Sequence, residues 1–164
     1  MTISVRPLRE SEREWVRERI AERWCSDTVV AHGAVFEPAG LEGLMAEDDG
    51  RRVGLLPFDV EGDACEIVTI DALEEGRGVG TALIEAARSL GHRRLWLITT
   101  NDNVRAQRFY ERLGFRLAAV HEGAVDRSRE LKPEIPRFTD DGTPIRDELE
   151  YELVEDAAGL SRRR

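Results

Sequence analysis

Three glycines at alternate positions, Gly76, Gly78 and Gly80, stand in the stretch EEGRGVGTALIEAARSLG, directly before a well-patterned helix. Glycine at a helix start costs roughly 1 kcal/mol against alanine. What it brings is open backbone. The N–H groups of a first helical turn have no intrahelical acceptor. Without side chains around them they can meet an anion, aided by the helix dipole. The spacing points to a phosphate-bearing ligand; the alternative is a flexible left-handed turn between a strand and a helix. Two known phosphate loops fail. The P-loop needs Gly-Lys-Ser/Thr, and Gly80-Thr81 lacks the lysine. The dinucleotide pattern G-x-G-x-x-G puts its last position on Thr81 or Leu83.

The elements that must position this turn can be read from periodicity. TISVRPL alternates and predicts a strand ending near Pro7. Ser11 and Glu14 form an S-x-x-E capping box, and Val16, Ile20 and Trp24 continue at helical spacing, so a helix is expected over 11–24. The segment 26–38 is ambiguous, with VVAHGAVF readable as a strand. LEGLMAE and RRVGLLPFDV flank Asp48-Asp49-Gly50, a hairpin signal. A second turn at Glu61-Gly62-Asp63 leads into ACEIVTIDAL.

After the glycines, Val79, Ala82, Leu83, Ala86, Ala87 and Leu90 form one apolar stripe, closed by Gly91. RRLWLITT reads as a buried strand. From Asn103, the positions Ala106, Phe109, Tyr110 and Leu113 mark another helix, closed by Gly114. FRLAAVHEG and DELEYELV are further strands. Between them, Ala124 to Arg146 holds three prolines and mixed charges and is expected as a long loop. This order argues an α/β (α+β) mixed sheet with helices on both faces. Residues 1–155 read as one domain and 156–164 as a disordered tail.

The chain has 164 residues, 41% apolar and 35% charged, as expected of a well-solvated globular protein. Its formal charge of -9 disfavours nucleic acid or an anionic membrane as partner. No apolar run approaches the ~20 residues of a membrane span, and MTISVRPLRE lacks the apolar stretch of a signal peptide. Cys25 and Cys65 have no motif spacing and are read as reduced thiols, so a cytoplasmic location is expected. The three histidines are scattered, and no metal site is expected.

Two blocks carry a family resemblance. Glu75-Gly76-Arg77-Gly78-Val79-Gly80 resembles the Gln/Arg-x-x-Gly-x-Gly/Ala signature of the GCN5-related N-acetyltransferases, the GNAT superfamily. NVRAQRFYERLGF, Asn103 to Phe115, is similar to that family's N-x-x-A-x-x-x-Y-E-x-x-G-F segment. The resemblance implies the GNAT fold, a mostly antiparallel central sheet of six to seven strands. It implies acetyl-CoA as co-substrate, an amine acceptor, and a homodimer as a common state. The cofactor-binding positions it implies are Val68, Ile70, Ala72, Glu75, Gly76, Arg77, Gly78, Val79, Gly80, Thr81, Asn103 and Ala106. Ile70 and Ala72 would meet the pantetheine arm; Asn103 would approach it or simply cap its helix. Glu75 departs from the usual Gln or Arg and places a carboxylate near the diphosphate, with Arg77 as the nearby positive charge.

Amine acetylation needs a neutral nucleophile. A lysine-like amine of pKa ~10.4 is neutral in roughly one part in two thousand at pH 7, a cost near ~4.6 kcal/mol. CEIVTI resembles the A-E-I-V stretch of histone-type members, which implies Glu66 as general base. Strand alternation would set Glu66 on one face with Val68, Ile70 and Ala72, and Cys65 on the other. Tyr110 matches the family's tyrosine acid, which would protonate the leaving thiolate; the alternative is a ring packed in the core beside Phe109. A main-chain N–H near Ile70 would hold the oxyanion. No cysteine is placed as a nucleophile, which favours direct transfer in a ternary complex. The charges of Asp126 to Glu148 suit a zwitterionic or carboxylate-bearing amine, or a solvated loop, and His32 and His121 could line the same cleft. A non-catalytic acyl-CoA-binding module is the competing expectation.

Overall fold

The computed structural model describes residues 2–155, so the expected tail at 156–164 lies outside the described residues. The chain runs β1 (Ile3–Pro7), a 3-10 turn (Glu10–Glu12), α1 (Arg13–Trp24), β2 (Val29–Ala31), β3 (Ala34–Phe36), β4 (Glu42–Asp48), β5 (Arg51–Glu61) and β6 (Ala64–Ile67). It continues through β7 (Asp71–Ala72), α2 (Val79–Arg88), β8 (Arg94–Thr100), α3 (Val104–Arg112), β9 (Arg116–His121), α4 (Ala124–Leu131) and β10 (Glu148–Val154). Among the described residues no helix is long and apolar enough to cross a membrane.

Seven strands hydrogen-bond in the order β1-β4-β5-β6-β8-β10-β9, and the short β7 pairs with β5 beyond the end of β6. Every pairing is antiparallel except β6 with β8. One face carries α2 and α3 over the main core, where Leu56, Leu83, Ile84, Leu97, Phe115 and Tyr151 meet. Burying each such side chain contributes about 1.5–3 kcal/mol. The other face carries α1, whose Val16 and Ile20 pack with Leu55 and Ala39.

Two features of the sheet make a site. The β6–β8 pairing ends at Ile67 opposite Leu97, while β8 runs on to Thr100 paired only with β10. The sheet therefore splits in the middle. At the split the neighbouring strand is bulged. Ile67 faces Phe58 and Asp71 faces Leu55, so Val68, Thr69 and Ile70 stand against only Pro57 and Leu56. The extra residue reverses the alternation. Ile70 and Ala72 pack with the α2-side core, whereas Glu66 points to the α1 side. The expectation that Glu66 shares a face with Ile70 and Ala72 is thus corrected. Its true companion past the bulge is Asp71, which is paired with Arg19 (3.3 Å) and Arg23 (3.1 Å) of α1.

Several local expectations are also corrected. Helix α1 begins at Arg13, and the carboxylate that reaches back to the chain is Glu12, accepting from the Arg9 N–H at 2.8 Å, not Glu14. Glu12 is buried and forked by Arg6 at 2.6 and 3.0 Å, which holds its carboxyl down at about 2. Trp24 and Leu90, expected in apolar stripes, are both exposed. The ambiguous segment is a hairpin, with His32-Gly33 as its two-residue turn at φ 42° and 77°. The expected long loop begins with α4. Its buried face includes Ser128 and Arg129 as well as Ala124 and Val125, so apolar periodicity does not reveal it.

Candidate active site

A cavity of about 950 Å³ passes through the split in the sheet. At one end lie the glycine turn and the start of α2. Gly76 and Gly78 sit at φ 73° and 79°, a region that side chains rarely adopt, and Gly78 is the helix N-cap. No side chain caps the helix, and the first intrahelical bond comes from Ala82 to Gly78 at 3.0 Å. The N–H groups of Val79, Gly80 and Thr81 therefore have no acceptor among the described residues. Gly80 has a packing reason of its own. A Cβ there would meet Phe109 Cζ at 3.0 Å, so its bareness lets α3 lie close against α2.

Glu75, Gly76, Gly78, Val79, Gly80 and Thr81 line the cavity, as do Val68, Ile70, Ala72, Asn103 and Ala106. Arg77 does not: its guanidinium is bonded to Glu74, which also meets Arg51. Glu75 is answered by Arg105, 3.1 Å away, both largely in solvent. Asn103 caps α3 by accepting from the Ala106 N–H at 3.2 Å, and faces the cavity as well.

At the split, Val68 N–H donates to Pro57 O at 3.0 Å, but the N–H groups of Thr69 and Ile70 find no partner among the described residues. This is a second set of open donors on the same cavity. Tyr110 also lines it. Its ring packs against Phe109, Phe115 and Tyr151, with centroids 5.3, 5.6 and 6.4 Å away, so it belongs to the core and to the cavity at once. Burial pushes its hydroxyl up to about 12. Burial likewise raises the Cys65 thiol to about 12; it belongs to the α2-side core and does not reach the cavity.

Glu66 is not in the cavity wall. Both its oxygens lie 2.9 Å from His32 Nε2. Burial pushes its carboxyl up, and His32 opposes that shift. The His32 ring packs against Phe36 and Trp96, and its main-chain N–H donates to Glu148 at 2.8 Å. This clasp fixes the β2–β3 hairpin, whose Val29, Val30 and Ala31 wall the α1-side end of the cavity. His121 is bonded to Glu150 at 3.1 Å and does not line the cavity.

The α1-side end contains what sequence reading missed. Glu148, at the start of β10, is 2% exposed and lines the cavity with Ser128 and Lys132 of the α4 region. The one trace of Glu148 in the sequence is an acid opening an alternating strand. The charges of the 126–148 segment, expected to meet an acceptor, are otherwise engaged or solvent-facing. Arg129 donates to the carbonyls of Ile135, Pro136 and Ile145. Lys132 Nζ donates to Thr28 O at 2.8 Å, and burial lowers its pKa. Arg127 and Arg137 are exposed.

Residues 5–115 match the family model described as the acetyltransferase (GNAT) family. The uncharacterized protein YxbD of Bacillus subtilis (strain 168) is 38% identical over 152 residues, covering 90% of this chain and 96% of that protein. The Bacillus subtilis acetyltransferase crystallised in complex with CoA shares the fold with a TM-score of 0.65, at 18% identity over 94% of this chain and 100% of that one. The Escherichia coli ribosomal-protein-S18-alanine N-acetyltransferase does so with 0.64, at 18% identity over 96% and 97%.

Proposed function

The chain belongs to the acetyltransferase (GNAT) family, and on that premise we propose that it moves an acetyl group from acetyl-CoA directly to a primary amine. One observation carries the reading. Two sets of unpaired main-chain donors, at Val79–Thr81 and at Thr69–Ile70, open onto a single cavity that crosses the sheet. The coenzyme A complex of a protein with this fold supports the same ligand here.

The α2 turn suits a diphosphate, since three amides and the helix dipole favour negative charge there. The solvent-exposed Glu75–Arg105 pair adds little net field beside it. When bound, acetyl-CoA supplies a thioester carbonyl as the electrophile. The bulge amides of Thr69 and Ile70 are free to donate to the charge that grows on its oxygen, a role worth roughly 3–4 kcal/mol per donor in comparable sites. Asn103 and Ala106 border the path between the two.

Tyr110 is the proton donor to the departing sulfur. Between a hydroxyl at about 12 and a thiolate near ~8.5 in water the transfer is uphill by roughly 5 kcal/mol. The same burial that raises the tyrosine raises the thiolate and narrows that gap. Glu66, held by His32, acts as a positioning residue that keeps the hairpin wall in place. With Cys65 buried in the core and its thiol pushed up to about 12, transfer needs no acyl-enzyme.

The test is acetyl-CoA-dependent thiol release over a panel of amines, with calorimetry of coenzyme A binding. Release that requires an amine, with a matching acetylated product by mass, is expected. Binding of coenzyme A without transfer to any amine would leave a non-catalytic acyl-CoA module.

A further inference from the structure

Among the described residues five acids are buried: Glu12, Glu66, Asp71, Glu148 and Glu152. Three of them face an arginine and one a histidine. Glu12 meets Arg6, Glu66 meets His32, Asp71 meets Arg19 and Arg23, and Glu152 meets Arg94 and Arg116. Among the described residues Glu148 has no such partner. Its Oε1 accepts from the Ser128 hydroxyl and its Oε2 from the His32 main-chain N–H, both at 2.8 Å. Both donors are neutral. A carboxyl this buried keeps further lone pairs unused, and it lines the cavity at the end away from the glycine turn.

We propose that Glu148 receives the ammonium group of the acceptor and takes its proton, and that the acceptor is a primary amine with an apolar body beside it. This rests on the acetyl-transfer reading above. The cavity's apolar lining includes Val29, Ala31, Val125, Ile135, Pro136 and Ile145. Of the cations at that end, Arg23 is paired with Asp71, and Lys132 donates to Thr28 O. An apolar body would bury itself against these walls, with the ammonium directed to Glu148.

The chemistry balances. Glu148 removes one proton from the ammonium, leaving a neutral amine. The amine nitrogen forms a bond to the acetyl carbon and the carbon–sulfur bond breaks. The second amine proton replaces the one that Tyr110 gives to the thiolate. The products are the acetamide, coenzyme A thiol and a proton, which Glu148 returns to water. The titratable groups facing Glu148 are His32 from the hairpin, Lys132 from the end of α4, and His121 opposite in β9, with Glu66 beyond His32.

The test uses the full chain with two amines of similar size, phenethylamine and O-benzylhydroxylamine, whose amino group is already neutral at pH 7. Wild type should prefer phenethylamine to spermidine. Glu148→Gln should lower kcat/KM for phenethylamine by roughly 100-fold or more, lose under about 10-fold on O-benzylhydroxylamine, and keep its coenzyme A affinity. Ser128→Ala, which strips one hydrogen bond from the carboxylate and loosens its aim, should also lower kcat/KM for phenethylamine more than for O-benzylhydroxylamine. Equal losses on the two amines would make Glu148 structural and overturn the proposal, as would a preference for spermidine. Should Glu148→Gln fail to fold, equal changes on the two amines in Ser128→Ala overturn it equally. Wild-type protein that binds no coenzyme A would instead remove the acetyl-transfer reading from which this one starts.

Discussion

Gly78→Ala separates backbone strain from ligand contact. Gly78 sits at φ 79°, and a Cβ built there has nothing within 4 Å. The substitution therefore clashes with no protein atom, and its cost to the free protein is the left-handed conformation alone, about 1–2 kcal/mol. Gly62, in the β5–β6 turn, supplies the control, with φ 62° and equally open surroundings. For a chain of this length each kcal/mol lowers Tm by roughly 2–4 °C, so both variants should melt a few degrees below wild type. Their ligand binding should differ. The added methyl at position 78 stands beside the unpaired amides of α2 and holds a diphosphate away from them. Losing one hydrogen bond to a charged group costs about 1.5–3 kcal/mol, which is roughly a 10- to 100-fold rise in Kd. Calorimetry with coenzyme A reads this directly, and Gly62→Ala should bind as wild type does. A Gly78→Ala protein that melts lower but binds coenzyme A unchanged would refute the assignment of the α2 amides as the anion site.

Three other outcomes follow from the same geometry. Tyr110→Phe should lower kcat by roughly 10- to 100-fold, because thiolate is a fair leaving group unaided, and should leave KM for acetyl-CoA near wild type; an unchanged kcat removes Tyr110 from the chemistry. Glu12 is held at about 2, below the 4.5 of a free glutamate. Its stabilisation, up to about 3 kcal/mol, is therefore full above the unfolded pKa and fades as pH falls through the folded one. The urea midpoints of wild type and Glu12→Gln should lie apart at pH 7 and converge as pH falls from about 4.5 toward about 2; a gap that does not change with pH contradicts the ion pair as its source. Cys65 is fully buried with its thiol pushed up to about 12, while Cys25 is exposed. Iodoacetamide at pH 8 should add one label to the native protein, at Cys25, as read by mass spectrometry of peptides.

Where local pattern and tertiary context agree, the sequence was enough. The stripe of Val79, Leu83 and Ala87 and the bare residues before it define α2 and its open first turn, because both follow from spacing within a few residues. The strand–turn signals at Asp48–Gly50 and Glu61–Asp63 likewise became β4–β5 and β5–β6. Alternation failed at Val68–Ile70, where an extra residue is absorbed opposite Pro57 and Leu56. A bulge depends on the partner strand, and the partner is not written in the strand itself. Helix α4 was hidden because its inward face is partly polar: Ser128 and Arg129 are buried on bonds to Glu148 and to loop carbonyls.

From the sequence alone came the family, the sheet-with-helices architecture, the glycine turn and the segment bearing Tyr110, all set by contiguous motifs and short periodicities. Tertiary structure alone decided which charges face the cavity. It gave Glu66 to His32, Arg77 to Glu74 and Lys132 to Thr28, and left Glu148 without a cation. The reason is physical: a side chain's charge is an intrinsic property, but its neutralisation depends on partners tens of residues away that only the packed chain brings within hydrogen-bond reach.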